Sequence, residues 1–314
     1  MAFTLIETSI GALFIQLATT NFYWQLGETI GFSSALGNLI LKRNLAHLPV
    51  LSGVLASSAF VSKWYPQYVP DFPVSNLTSR YGISTTIILS IAGLLVGLGH
   101  MIGGISRLRL RSFVAVGVFS GFAMLLNKTL DLGLYNGTGV NYELSLNTSW
   151  FNENRGLLLL LISSALHVYL FLPKLSQSIK SDWYKQFNRL FSGFLFGIGL
   201  HVSGMVNVSK TIGFLSLFDL NKFDPSLIMI MIFTVLPNIF IWRSIEKPLL
   251  SENFNVAKSN KLPLKFLVGN AIFGLGWGIL GICPGPGVAN VFHYSSIGIY
   301  LVSFIIGYGF GSFI

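Results

Sequence analysis

The residues best suited to chemistry lie in one stretch, Gly274-Leu-Gly-Trp-Gly-Ile-Leu-Gly-Ile-Cys-Pro-Gly-Pro-Gly287. It contains Cys283, the only cysteine of the chain. Its first half is apolar, with glycines spaced close to one helix face, a pattern that lets another backbone approach closely. The prolines after Cys283 remove backbone donors, so the helix is expected to end there. Inside a membrane, a broken helix is buried in protein or lines a wet cavity, so we predict a site at Cys283.

A second helix beginning just after this break would point its backbone N–H groups and its positive end at Cys283. Both features favour an anion and a reactive sulfur. We therefore predict that Cys283, Pro284 and Gly285 contact a substrate. The competing interpretation is that a lone membrane cysteine is only a small apolar packing residue.

Two histidines in apolar segments, His201 and His100, are further candidates, because an ionisable group inside a membrane is costly and so is usually functional. Each could instead be a neutral, hydrogen-bonded histidine. Gly31 and Gly213 lie in identical Thr-Ile-Gly-Phe runs. We expect both glycines to form re-entrant turns whose amides can contribute to anion binding. The sequence offers no metal cluster, nucleophile triad or phosphate loop, and we expect neither a cofactor nor an enzyme.

The composition predicts an all-α integral membrane protein whose main surroundings are a lipid bilayer. Hydrophobic residues make up 52% of the 314 positions and charged residues 10%, against about 25% charged in a soluble domain. The net charge of +9 comes from short basic clusters between apolar runs, which indicate membrane topology rather than nucleic-acid binding. Lys210 and Glu28, each beside a polar break, are expected to be surface anchors.

Nine runs are long and apolar enough to suggest transmembrane helices. They are 3–22, 48–62, 85–103, 112–126, 156–173, 190–206, 227–242, 264–282 and 290–312. Two shorter runs, 29–40 and 210–219, each follow a polar break and are interpreted as re-entrant half-helices.

The chain shows signs of an internal duplication, with a first membrane repeat at 1–180 and a second at 181–314. The Thr-Ile-Gly-Phe run recurs at an offset of 182, and Gly97-Leu-Gly99 is echoed by Gly274-Leu-Gly276. Placing the basic loops inside puts the N-terminus outside and inverts the second repeat relative to the first. Inverted repeats of this kind are common in transporters, with the substrate site at their interface.

These residues resemble the YeeE/YedE family of sulfur-compound transporters, in which thiosulfate uptake is the known activity. The second half carries the resemblance most strongly, through Gly193-x-Leu-Phe-Gly-x-Gly199, Ser203-Gly-Met, Lys210-Thr-Ile-Gly-Phe-Leu and the stretch ending in Cys283-Pro-Gly-Pro286. The first half matches more loosely, through Gly93–Gly99 and Gly104–Ser112.

One departure from the family pattern affects the expected mechanism. A Gly-Cys-Thr-Ser-Gly-His element, usual in the first half of the family, is absent here. The relay of thiosulfate between several cysteine thiols that the resemblance implies therefore cannot operate with a single thiol.

The resulting hypothesis is a transporter or channel for a small sulfur-containing anion, thiosulfate by resemblance, in the cell membrane. Two alternatives remain open. One is a membrane sulfur-delivery component that hands persulfide to a soluble sulfur-carrier partner, and the other is a degenerate family member that no longer transports.

Overall fold

The structure is a computed structural model that describes residues 3–71, 76–103, 110–132, 140, 142, 148–256 and 261–313. All regular secondary structure in these residues is helical. The helices of the first half are α1 (Leu5–Leu26), α2 (Phe32–Leu41), α3 (Leu48–Trp64), α4 (Asn76–Tyr81), α5 (Thr85–Gly103), α6 (Leu110–Leu130), α7 (Thr148–Glu153), α8 (Arg155–Leu166) and α9 (Leu172–Ser178). The helices of the second half are α10 (Asp182–Val202), α11 (Val208–Leu215), α12 (Ile228–Ile230), α13 (Leu236–Ser244), α14 (Leu264–Leu280), α15 (Pro284–His293) and α16 (Ile297–Gly311). Short π-helical turns join α8 to α9 and α12 to α13.

Six helical runs among the described residues are long and apolar enough to cross a membrane. They are Leu45–Trp64, Thr85–Ile102, Arg111–Leu130, Arg155–Ser178, Pro225–Ser244 and Leu264–His293. Large apolar side chains on their outer faces are exposed, for example Leu159 at 66% and Phe240 at 64%. A soluble protein would bury such side chains, whereas lipid tails solvate them, so the chain is an all-α integral membrane protein.

Helices α1 and α10 are equally long, at 22 and 21 residues, but more polar. Their polar side chains face each other and the protein interior: Asn21 donates to Asn188 and Ser192, and Thr20 donates to Asn238 of α13. Buried amides and hydroxyls are tolerated in lipid when they bond one another. The polarity of these two helices therefore reflects a central position in the bundle.

The predicted spans coincide with the helices, with one correction at the end of the chain. Each of the nine predicted spans contains a helix. The last was placed at 290–312, but residue 290 belongs to the half-helix α15, and the final long helix begins only at Ile297. The sequence signal was blurred because Tyr294–Ser296, which separate the two helices, lack a proline or glycine.

Two helix pairs form the centre of the bundle, and each pair is antiparallel. In the α1–α10 pair, Gly11 lies against Gly199 and Ser203, while Asn21 bonds Asn188, so the two chains run in opposite directions. In the α5–α14 pair, Gly99 lies against Gly269, and Gly276 lies against Ala92. These glycines lack a side chain where the backbones touch, which explains their helix-face spacing.

The helix boundaries recur at an offset of 177 residues, not at the 182 taken from Thr-Ile-Gly-Phe. Helices α1 and α10 begin 177 residues apart, and Gly27 and Gly204, both with positive φ, follow them at the same offset. Gly31 precedes the first residue of α2, whereas Gly213 lies inside α11. The Thr-Ile-Gly-Phe register is therefore wrong. The division into repeats at 1–180 and 181–314 stays a prediction, which the 177-residue recurrence favours.

Candidate functional site at the break between α14 and α15

Helix α14 ends at Gly281, as its glycine content predicts. Gly281 is left-handed, with φ of 70°, and its N–H donates to the Trp277 carbonyl at 2.6 Å. A side chain at this φ would be strained, and a Cβ here would lie 3.2–3.3 Å from Ile212 and Thr211 of α11. Glycine is thus needed both to stop the helix and to let α11 approach it.

Cys283 is the residue immediately before the first turn of α15. The Gly287 N–H donates to the Cys283 carbonyl at 2.8 Å, while Pro284 and Pro286 have no N–H. Of the first four residues of α15, only Gly285 therefore keeps a backbone donor for a bound group. The linker is held from behind by the buried Tyr300, whose hydroxyl donates to the Ile282 carbonyl at 2.8 Å.

Three short helices meet at this break. A Cβ added at Gly285 would lie 2.9 Å from the Phe32 ring at the start of α2, and α11 packs against Gly281. Cys283 itself is partly exposed, whereas residues 284–290 after it are buried. The thiol therefore lies inside the protein, at a junction of α2, α11 and α15 with some solvent access.

A cavity of about 340 Å³ opens beside the start of α2. Its lining includes the end of the α1–α2 linker, the first turn of α2 and polar side chains of neighbouring segments, namely Glu28, Thr29, Gly31, Phe32, Ser34, Asn38, Asn44, His47, Arg189 and Asn255. Phe32 lines this cavity and also packs against Gly285. Its ring, held at 4.8 Å from that of Phe196, thus lies between the cavity and the first turn of α15.

The cavity contains one buried ion pair. Arg189 is 9% exposed, and its Nη2 donates to Glu28 Oε1 at 2.8 Å. Its Nε has no hydrogen-bond partner in the structure. A guanidinium offers five donors, so this group retains capacity for an anion.

The structure brings some of the predicted site residues together. Cys283, Pro284 and Gly285 are consecutive at the break, and Gly31 precedes the Phe32 that contacts Gly285. Gly213 is different. It follows Ile212 in α11, and its carbonyl accepts from the Ser216 and Asp224 amides, so it forms no re-entrant turn.

His100 lies in the last turn of α5, away from Cys283. Its ring stacks on that of Tyr308 at 5.9 Å and is 6.5 Å from that of Phe273. Phe273 precedes Cys283 by ten residues, or about 15 Å along a helix. The shared apolar setting of the two histidines thus did not translate into a shared site with the thiol.

His201 bonds a second histidine that sequence reasoning missed. Its Nε2 lies 3.0 Å from Nε2 of His293, the last residue of α15. The criterion that selected His201, an ionisable group in an apolar run, applies equally to His293. It was overlooked because the predicted span 290–312 hid the end of a helix at this position.

Lys210 and Glu28 were expected to be surface anchors, and for Lys210 this is wrong. Lys210 is 5% exposed, and its Nζ lies 3.5 Å from Oδ2 of the fully buried Asp224 and contacts Thr4 Oγ1. Asp224 is held in turn by the amide and hydroxyl of Ser226. Glu28 is partly buried against Arg189. Each ion pair ties a linker or half-helix to a neighbouring segment.

Two further sequence expectations can be compared only in part. Within the described ranges, no group of three or more His, Cys, Asp or Glu side chains could hold a metal ion. Residues 104–109, which carry most of the first-half match at Gly104–Ser112, lie outside the described residues.

Comparison with known proteins identifies relatives of the second half in particular. Residues 186–313 match the model of a family of unknown function, DUF6691. A "Probable transporter" of Xylella fastidiosa strain 9a5c is 34% identical over 105 residues, which are 32% of this chain and 71% of that protein. A protein of the same name from strain Temecula1 is 34% identical over 105 residues, or 32% and 70% of the two chains. No solved structure matches. The chain therefore belongs to the same family as these two proteins, and its second half carries the signature of DUF6691.

Proposed function

We propose that the protein is a membrane transporter for a small sulfur-containing anion, with thiosulfate as the first candidate, and that the anion passes the break at Cys283. The observation that carries the proposal is the meeting of α2, α11 and α15 around a partly exposed thiol inside a membrane protein. The names of the relatives support transport in general. The resemblance to the YeeE/YedE family supports a sulfur compound.

The residues at the break suit an anion with one soft and several hard atoms. The Cys283 thiol can donate a weak hydrogen bond to the terminal sulfur of thiosulfate. The Gly285 N–H and the first-turn amides of α2, which follow Gly31, can donate to its oxygens. Pro284 shapes this turn without adding a donor. Gly213, His100 and His201 lie outside this arrangement and are not assigned anion contacts.

The proposed path begins in the cavity beside α2. The cavity is lined by the buried Arg189 and by Gly31, and it ends at the Phe32 ring. The ring would have to move for an anion to reach Gly285 and Cys283. The cavity and the thiol are therefore two stations of one route, separated by one aromatic side chain.

The proposed scaffold is a pair of inverted repeats. Support comes from the 177-residue recurrence of helix boundaries and from the antiparallel packing of the equivalent helices, α1 with α10 and α5 with α14. The matched stretch is 71% of the first relative but 32% of this chain. That relative is thus less than half as long, close to one proposed repeat.

The test is uptake of radiolabelled thiosulfate into liposomes containing the purified protein. Wild type is expected to accumulate the label, and Cys283→Ser and Cys283→Ala to lose uptake at least tenfold while unfolding at the wild-type temperature. Unlabelled sulfite, sulfate and selenium analogues in competition would rank the substrates. Unchanged uptake by Cys283→Ala would remove the thiol from the mechanism, and no flux of any of these anions through wild type would overturn the proposal.

A further inference from the structure

The C-terminal ends of two helices meet at a pair of histidines. His201 lies in the last turn of α10 and is 1% exposed, whereas His293 ends α15 and is partly exposed. Their Nε2 atoms are 3.0 Å apart. His201 Nδ1 lies 2.8 Å from the Gly197 carbonyl, and His293 Nδ1 lies 3.3 Å from Ser62 Oγ of α3.

The hydrogen bonds of this chain fix where the hydrogens are. A carbonyl only accepts, so His201 Nδ1 carries a hydrogen, and in the neutral ring Nε2 is left as an acceptor. His293 must then donate from its Nε2, which leaves its Nδ1 to accept from the Ser62 hydroxyl. The chain runs in one direction, Ser62 to His293 to His201 to Gly197, with each group satisfied.

This arrangement can take up one proton without moving a heavy atom. The proton adds to His293 Nδ1, and the Ser62 hydroxyl rotates from donor to acceptor, since a hydroxyl can do either. A second proton would place two N–H groups against each other at 3.0 Å. From this geometry we infer that the His201–His293 pair is a binding site for a single proton, entering at the partly exposed His293.

The electrostatic surroundings act in both directions. Both histidines are in the last turns of their helices, where the partial negative charge of the helix end favours a cation. Burial opposes the charge. The titratable and charged side chains on the neighbouring elements are Glu7 on α1, Arg189 on α10, the exposed Lys63 next to Ser62, Asp71 with Tyr65 and Tyr68 after α3, Tyr294 after α15, and Tyr300 and Tyr308 on α16.

The position of the pair suggests what the proton is for, and this step depends on the proposed function. Helix α15 has Cys283 at its positive end and His293 at its negative end, ten residues or about 15 Å apart. One short helix thus links an anion station to a proton station. A proton carried with a divalent anion would lower the charge moved across the membrane, so the site assigns the proton as the coupling ion.

Proton binding can be measured without transport. NMR of the protein in nanodiscs with ¹⁵N-labelled histidine would follow the five histidines between roughly pH 8 and pH 5, where histidines titrate. The expected result is that His201 and His293 change together and gain one proton in total. In His201→Gln, His293 should titrate alone.

His167 is the matched control, because its Nδ1 lies 3.0 Å from the Ser163 carbonyl four residues earlier, as His201 does with Gly197. It has no histidine partner in the structure, and we expect it to titrate as a single exposed group. A His201–His293 pair that stays neutral down to about pH 5, or takes up two protons, would overturn the inference.

Coupling is then tested in liposomes. An inward proton gradient is expected to speed thiosulfate uptake several-fold in wild type and His167→Gln, but not in His293→Gln. If wild type transports with no response to the gradient, the coupling role is wrong and the proposed function stands. If wild type does not transport at all while the NMR titration shows one bound proton, the proposed function fails and the proton site stands.

Discussion

Gly99 on α5 and Gly276 on α14 occupy reciprocal positions in one helix pair. A Cβ at Gly99 would meet the Gly269 and Phe273 backbone of α14, and a Cβ at Gly276 would meet the Ala92 and Val96 backbone of α5. Gly99 and Gly276, like Ala92 and Gly269, are 177 residues apart, as the helix boundaries are. The two helices therefore touch through equivalent positions, as a two-fold axis across the pair requires.

This contact predicts that Gly99→Ala destabilises the protein. The new Cβ would lie 2.3 Å from Phe273 N, a backbone atom that cannot swing away. We expect the free energy of unfolding to fall by about 1–3 kcal/mol, as for other overpacked sites. The measurement is denaturant unfolding in detergent micelles.

Gly117→Ala on α6 is its control, since a Cβ there meets nothing within 4 Å. It should leave stability unchanged or raise it by about 0.5–1 kcal/mol through helix propensity. Equal stabilities for Gly99→Ala and Gly117→Ala would show that α5 and α14 are not in close contact.

Removing the Phe32 ring should expose the thiol. Because Cys283 is the only cysteine, a water-soluble thiol reagent reports on this position alone. In Phe32→Ala we expect modification at least several-fold faster than in wild type, since the cavity beside α2 then connects to Gly285.

Phe60→Ala provides the comparison, because Phe60 packs against Tyr65 and Phe194 instead. It should leave the rate of modification unchanged. Identical rates for wild type and Phe32→Ala would mean that the ring is no barrier between cavity and thiol.

The buried Lys210–Asp224 pair predicts a large effect of charge removal. Lys210→Met leaves the fully buried Asp224 carboxylate without its cation. We expect a loss of about 3–5 kcal/mol in unfolding free energy. Restoring neutrality with the double variant Lys210→Met/Asp224→Asn should recover much of it.

The exposed pair Lys185–Asp182 at 3.1 Å is the matched surface case. Lys185→Met should cost no more than about 1 kcal/mol. A Lys210→Met protein as stable as Lys185→Met would refute the assignment of a buried ion pair.

The Glu28–Arg189 pair should tune anion affinity if the cavity is the entrance. Glu28→Gln removes a negative charge next to the guanidinium, so the cavity becomes more positive. We expect the KM for thiosulfate uptake to fall several-fold with kcat little changed, and the effect to shrink at high salt. A KM that rises, or does not move, would place anion entry elsewhere.

The sequence predicted the fold and one part of the site, through rules that depend only on local chemistry. Apolar length located the helices, and glycine with proline located the break at Cys283. Such signals work because a membrane requires every backbone donor to be satisfied within its own helix or by a visible exception.

What the sequence could not show depends on contacts between distant residues. Thr-Ile-Gly-Phe recurs in letters at offset 182, yet Gly31 and Gly213 have different backbone roles because the helix boundaries follow offset 177. Lys210 finds Asp224, and His201 finds His293, only after folding. Burial of these groups is decided by partners that no local pattern identifies.

The two halves differ most where α15 lies. Six residues separate α5 from α6, whereas sixteen separate α14 from α16, and these sixteen include Cys283 and His293. A solute approaching from one face would therefore meet the thiol and the histidines in the reverse of the order met from the other face. Saturating influx and efflux should then proceed at unequal speeds, even though the final equilibrium depends only on the gradients.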